Sequence, residues 1–209
     1  MNTSPSETYD DASWPDAIRD ARRERIIDAA SRVFAEAGLD GASVRKIAAA
    51  AGCTTGAIYP LFESKEAIYA ELLMRSLREL RRRVSDVIVT CESAEDRIRR
   101  GAFCTLDFYL ERPEEFAISF YLSAGLKRKG VGNTLNEKLN AELLDLNALL
   151  NGEWAGIVGE EEAARSQTNL FAHITGLVVL QLRGRFSVFA GDTHSLLRDY
   201  LDAMLGPAT

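Results

Sequence analysis

Cysteine and histidine are scarce in this chain of 209 residues, three and two in number. Cys53, Cys91 and Cys104 form no CxxC pair and cannot all be bridged, which fits a reducing compartment. No metal site and no cofactor are read from these residues. The Walker lysine loop, the zinc-protease helix, the nucleophile elbow and the dinucleotide fingerprint are all missing, so no catalytic residue is assigned and the chain is not expected to be an enzyme. Long apolar runs are missing as well. The longest, residues 174–182, is far too short to cross a bilayer, and the GxxxG spacing of Gly152, Gly156 and Gly159 has no membrane span around it. The first residues lack a basic-then-apolar signal pattern, so a cytoplasmic protein without a membrane partner is expected.

Positive charge is also in deficit, with a formal net charge of −6. Its distribution matters more than its sum. Residues 1–18 hold four acids and no base, whereas residues 19–65 hold eight bases against six acids and form the one net-positive section. The first 18 residues, polar and acidic with Pro5 and Pro15, read as a flexible tail. The whole chain, 46% hydrophobic and 27% charged, is ordinary for a globular protein with ample length for a core.

Helical periodicity runs through almost everything else, and no alternating strand pattern of useful length occurs, so the fold class is all-α. In residues 22–37 the apolar stripe is Ile26, Ala29, Ala30, Val33, Phe34 and Ala37, and Gly38 supplies a stop. Ser43 can cap a second helix that buries Val44, Ile47 and Ala48, and Gly52 ends it. After Cys53, a small residue suited to apolar packing, a short segment opens at Thr54 and Thr55. Two short helices joined by a tight glycine turn form a helix-turn-helix, whose second member can enter the major groove of DNA.

The residues Ala29-Ala30, Phe34-x-x-x-Gly38, Ser43 to Ala48, Ala51-Gly52-Cys53-Thr54-x-Gly56-Ala57-Ile58-Tyr59, Phe62 and Ser64-Lys65-Glu66 resemble the DNA-binding domain of TetR/AcrR-type transcriptional repressors, the tetracycline-repressor-like family. The resemblance covers roughly a quarter of the chain. It implies an N-terminal three-helix DNA-binding domain, residues 19–66, followed by a helical ligand-binding and dimerisation domain, residues 67–209. Thr55, Gly56 and Tyr59 are then expected to face bases and groove walls, and Ser43, Arg45, Thr54 and Lys65 to hold phosphates. The partners implied are an operator DNA duplex, a second copy of the chain and a small-molecule effector. One departure stands out: the family's recognition helix runs on through an aromatic residue and a histidine where this chain has Pro60 and Leu61. Proline lacks an N–H and disfavours a helical Tyr59, which predicts a short or distorted recognition helix, and Leu61 cannot donate to a phosphate.

Beyond residue 75 no motif stands on its own. Helices are expected from Lys65 to about Val89, Ser93 to Leu110, Glu114 to Leu126, Thr134 to Trp154, Glu160 to Phe189 and Thr193 to Leu205, with the run Arg81-Arg82-Arg83 as a solvated helix face. In the last two, one stripe, through Leu170, Ile174, Leu177 and Val178 and through Leu197, Leu201 and Met204, can face the subunit's own core, while the other surface, with small residues such as Ala172 and Gly176, can meet the same pair of helices across a two-fold axis. Aromatic residues gather in this second part. An apolar effector enclosed by its helices would meet Phe103, Phe120, Trp154 and Phe171 as walls, with Asp107 and His173 as polar anchors. The plainer readings are an exposed carboxylate for Asp107, a core or interface residue for His173 and a helix-start residue for His194. The chain is thus expected to be a ligand-responsive repressor that binds a palindromic operator as a homodimer. Its rivals are a DNA-binding adaptor controlled by a protein partner and a helical small-molecule carrier or enzyme.

Overall fold

The computed structural model describes residues 13–119 and 133–207. In chain order the helices are α1 (Ser13–Gly41), α2 (Val44–Ala51), α3 (Thr55–Ile58), α4 (Lys65–Ile88), α5 (Ala94–Glu111), α6 (Pro113–Ser119), α7 (Asn133–Val158), α8 (Glu160–Leu182) and α9 (Thr193–Leu205), and no strand occurs among the described residues. Short polar side chains set the starts. The hydroxyls of Ser43, Ser64 and Ser93 accept from the third backbone N–H onward, at 3.0–3.2 Å, and Asp192 caps α9 through the N–H groups of His194 and Ser195. Gly38, with φ 65°, breaks α1 where the sequence led us to expect a stop.

Three boundaries differ from expectation. Helix α1 begins at Ser13, so residues 13–18 are helical rather than part of a tail, with Asp16, Ala17 and Ile18 exposed. Helix α7 passes Trp154 and ends at Val158, where Gly159 takes φ 85°. Helix α8 stops at Leu182 instead of Phe189, because Gly184 adopts a left-handed φ of 63°; a 3₁₀ turn, Arg185–Ser187, follows. Residues 120–132, with Phe120 and the expected end of the helix from Glu114 to Leu126, fall outside the described residues.

The helices enclose two cores. The first joins α1, α2, α3 and the start of α4 through Ile27, Phe34, Ile47, Ile58, Ile68 and Tyr69, with Ile118 of α6 added from the side. Phe34 meets Tyr69 edge-on at 5.0 Å, and the Tyr69 hydroxyl donates to the Ile118 carbonyl. The second core joins the rest of α4 to α5–α9 around Leu80, Ile98, Leu106, Phe108, Phe116 and Trp154. Gly101 of α5 lets Leu150 of α7 come close: a Cβ there would lie 3.0 Å from Leu150 Cδ1. Helix α4 runs through both cores, and the short α6 contributes Ile118 to the first and Phe116 to the second.

Buried charge is sparing. Arg99 of α5 donates to Asp202 Oδ1 at 2.6 Å and to the Gly206 carbonyl, tying α5 to the end of α9. The arginine run on α4 is consumed by ion pairs: Arg81 with Asp145, Arg82 with Glu79 and Asp86, Arg83 with Glu79 and Glu111. Hydrogen bonds from Arg82 and Arg83 hold the Glu79 carboxyl down at about 2. That matches a solvated helix face and leaves no clamp for phosphate. No helix among the described residues is long and apolar enough to cross a membrane.

Candidate nucleic-acid interface

Helix α2 owes its position to Ile47, Ala48 and Ala51, all buried against α1. At its end Gly52 takes φ 64° and ψ 39°, and the Gly52 and Cys53 amides turn back to Ala49 and Ala48 at 3.2 and 2.9 Å. This reversal aims the next residues outward. Helix α3 is one turn long, anchored by a fully buried Ile58, with Thr54 as its cap residue. The expected shortening is there, though by another route: Tyr59 keeps a right-handed helical backbone (φ −57°, ψ −32°) despite preceding proline, and the helix ends because residue 60 has no N–H to offer.

Arg45, Thr54, Thr55, Gly56 and Tyr59 all lie exposed on this unit, with Tyr59 58% accessible. The Thr54 side chain makes no capping hydrogen bond, and a Cβ at Gly56 would meet only Thr54 Oγ1, at 3.8 Å. The backbone at Gly56 is therefore free to approach a duplex closely. Ser43 is half-buried and accepts from the Lys46 amide. Lys65 is engaged already: its ammonium donates to the carbonyls of Leu39 at 2.7 Å and Ala42 at 3.1 Å, closing the end of α1. Two neighbours escaped the motif reading. Arg22 and Arg25, exposed at i, i+3 spacing on α1, rim a notch of about 300 Å³ floored by Ile26, Ala51, Cys53 and Ala57, beside α3. Their spacing on the α1 face was the available signal.

The residues expected to line an effector cavity do not converge. Trp154 is fully buried and donates from Nε1 to Gln167 Oε1 at 3.0 Å. Phe103 and Asp107 border an open groove instead, where Asp107 Oδ1 is 2.7 Å from His194 Nε2 and Phe103 stacks on that imidazole. His173 stacks on Tyr200 at 4.2 Å, between α8 and α9. Phe171 alone borders the enclosed space between α4, α5, α7 and α8, together with Thr105, Leu146, Asn147, Leu150 and Gln167. That space is about 30 Å³, room for roughly one water and none for a small-molecule effector, and Leu150 presses into the gap left by Gly101 beside it. Asn147 and Gln167 were missed; an amide between Leu146 and Leu150 in an apolar stripe was their signal. No group of three metal-ligating side chains occurs among the described residues.

An all-helical chain with an exposed helix-turn-helix on one core and a larger helical bundle behind it is built as a DNA-binding protein. Residues 26–72 match the profile of bacterial regulatory proteins of the tetR family. That segment carries the DNA-binding domain of the family. Among curated relatives it is 26% identical over 140 residues to the HTH-type transcriptional repressor KstR2 of Rhodococcus jostii, covering 67% of this chain and 65% of that one. It is 46% identical over 52 residues to the repressor Rv1474c of Mycobacterium tuberculosis, covering 25% and 28%. The matches thus span less than two thirds of these relatives' length. In fold the chain is similar to a transcriptional regulator FadR from Bacillus subtilis in complex with stearoyl-CoA (TM-score 0.71, 21% identity, 89% and 99% covered). It is likewise similar to the regulatory protein SCO4313 (TM-score 0.74, 18% identity, 92% and 98% covered).

Proposed function

We propose that the chain is a transcriptional repressor that binds a palindromic operator as a homodimer and is released by a small, largely apolar effector. The observation that carries the DNA assignment is the exposed row Arg45, Thr54, Thr55, Gly56 and Tyr59 on a rigid, fully packed helix-turn-helix. Two such rows related by a two-fold axis read half-sites about one helical turn apart. Dimerisation is supported by the outer surface of the last helices, where Leu182, Val188, Phe189 and Met204 are exposed and the space over Gly176 is open. An isologous interface along α8 and α9 would cover them. Effector control is supported by the fold neighbour held with stearoyl-CoA and by half-buried amide side chains, Asn147 and Gln167, bordering the small space inside the bundle. The effector must part α7 from α5 to enter, so it binds the opened bundle more tightly than the closed one. The closed bundle itself favours the rival reading, control by a protein partner.

The test is selection of duplexes from a random pool by the full chain, followed by footprinting and light scattering. Enrichment of a palindrome, protection of two half-sites and a mass of twice the 23.0 kDa chain are the expected results. Selection of no sequence, or a monomeric mass at micromolar concentration, overturns the reading. A panel of long-chain acyl compounds added to the bound duplex then separates effector release from partner control.

A further inference from the structure

Helix α3 is too short to hold itself. Its one i→i−4 hydrogen bond at the exit, Tyr59 N to Thr55 O, is long at 3.4 Å, and Pro60 cannot donate to the next carbonyl, that of Gly56. The chain then closes a tight turn in which both Leu61 and Phe62 amides return to the Ile58 carbonyl, at 2.8 and 2.9 Å. That turn presents the Leu61 carbonyl to α1, and Arg23 takes it with Nη1 at 3.2 Å. The other end of the same guanidinium pairs with Glu71 of α4 at 2.9 Å, and its plane lies over the Phe62 ring, 4.5 Å from the centroid. Phe62 is itself only 4% exposed. One planar group thus fixes the exit of α3 to α1 and α4 at once. A lysine, a point donor without a flat face, cannot make all three contacts.

We propose that Arg23 is a positioning residue for DNA reading, holding the truncated recognition helix at its working angle in place of the helical hydrogen bonding that Pro60 removes. Arg23 touches no base in this role; it acts through Thr55, Gly56 and Tyr59. The inference rests on α3 being the element that contacts DNA.

The experiment compares wild type, R23A, R23K, P60A and the double variant R23A/P60A on the palindrome that the wild-type chain enriches and on a scrambled duplex of equal length. Thermal midpoints are recorded beside them. R23A is expected to lower palindrome affinity about tenfold while scrambled-duplex affinity stays within about twofold, since misplaced readers lose base contacts before backbone contacts. R23K is expected to keep the thermal midpoint near wild type yet regain only part of the discrimination. In the P60A background, where residue 60 regains a donor for the Gly56 carbonyl, removing Arg23 is expected to cost about threefold or less, and this non-additivity is the signature of the role. Glu71→Gln, which loosens one of the three contacts, shows the same selective loss at smaller size and serves if R23A does not fold. Equal losses on both duplexes, full recovery by R23K, or the same cost in both backgrounds would overturn the proposal. If the wild-type chain enriches no palindrome, the DNA reading falls first and the Arg23 role with it.

Discussion

The two cores are built from different material and expose different things. Around α1–α3 the packing is done largely by small and β-branched residues, with Ala29, Ala30, Ala48 and Ala51 between Ile27, Ile47 and Ile58, and polar side chains stand outward on a surface formed by the local turn. Around α5–α9 the packing is done by Phe108, Tyr109, Phe116 and Trp154, and the polar side chains of interest, Asn147 and Gln167, point inward. In the first unit, chemistry is displayed on a local motif. In the second it is assembled from residues far apart in sequence. A site of the first kind is readable from spacing, whereas one of the second kind depends on how helices happen to pack.

The contrast can be strained most at Trp154. Replacing this fully buried side chain by alanine leaves a large void beside Gln167 and is expected to destabilise the bundle by about 3–5 kcal/mol. Calorimetry that found both units equally weakened would show that α4 merges them into one cooperative body. A Gly176→Arg change comes next. Its Cβ meets nothing within 4 Å inside the subunit, so the fold is kept while the outer face of α8 is blocked. Light scattering should then return monomers, and operator affinity should fall about a hundredfold through lost coupling of half-sites. A dimer that survives Gly176→Arg places the interface elsewhere.

Within the first unit Arg45 and Lys65 are now distinguishable. Arg45→Ala is expected to leave the melting midpoint unchanged and to lower the salt dependence of DNA binding by about one phosphate's worth. Lys65→Met removes two charge-assisted hydrogen bonds to the Leu39 and Ala42 carbonyls and is expected to cost about 1–2 kcal/mol of stability. A Lys65→Met protein of native stability with a reduced salt slope would return the residue to its phosphate role. The smallest effect concerns Glu79 on the shared helix. Its carboxyl is held at about 2 against an ordinary 4.5, so the stabilisation it provides is present above pH 4.5 and is lost as pH falls through about 2. With the side chain one-third exposed, the difference between wild type and Glu79→Gln in acid denaturation is expected to be slight and confined to that window. A difference persisting below pH 2 would point to packing instead.

The legibility of the chain follows the same division. Ser43, Gly52 and Ile58 act within a few residues of one another, so cap, reversal and anchor were all visible as local chemistry, and so was the interruption at Pro60. The stops at Gly184 and Gly159 were harder, since a glycine's left-handed φ is not fixed by its neighbours in sequence. Asp107 and His194 lie 87 positions apart and meet only because α9 folds back on α5. Phe103, Trp154 and His173 share helical spacing and aromatic character, yet helix rotation sends them to a groove, a core and an interhelical seam. No periodicity encodes that rotation.

The contacts of Arg99 with Asp202 and Gly206 span 103 and 107 positions along the chain. On a polypeptide still being made, α4 to α8 can begin to collapse while Arg99 has neither partner, and a charged guanidinium in that seam opposes tight closure. The second unit is thereby expected to close only when α9 arrives, while the first, whose contacts are mostly local, has no such wait. A partly synthesised chain would present a finished helix-turn-helix on an unfinished body, with the surface proposed for pairing not yet in place.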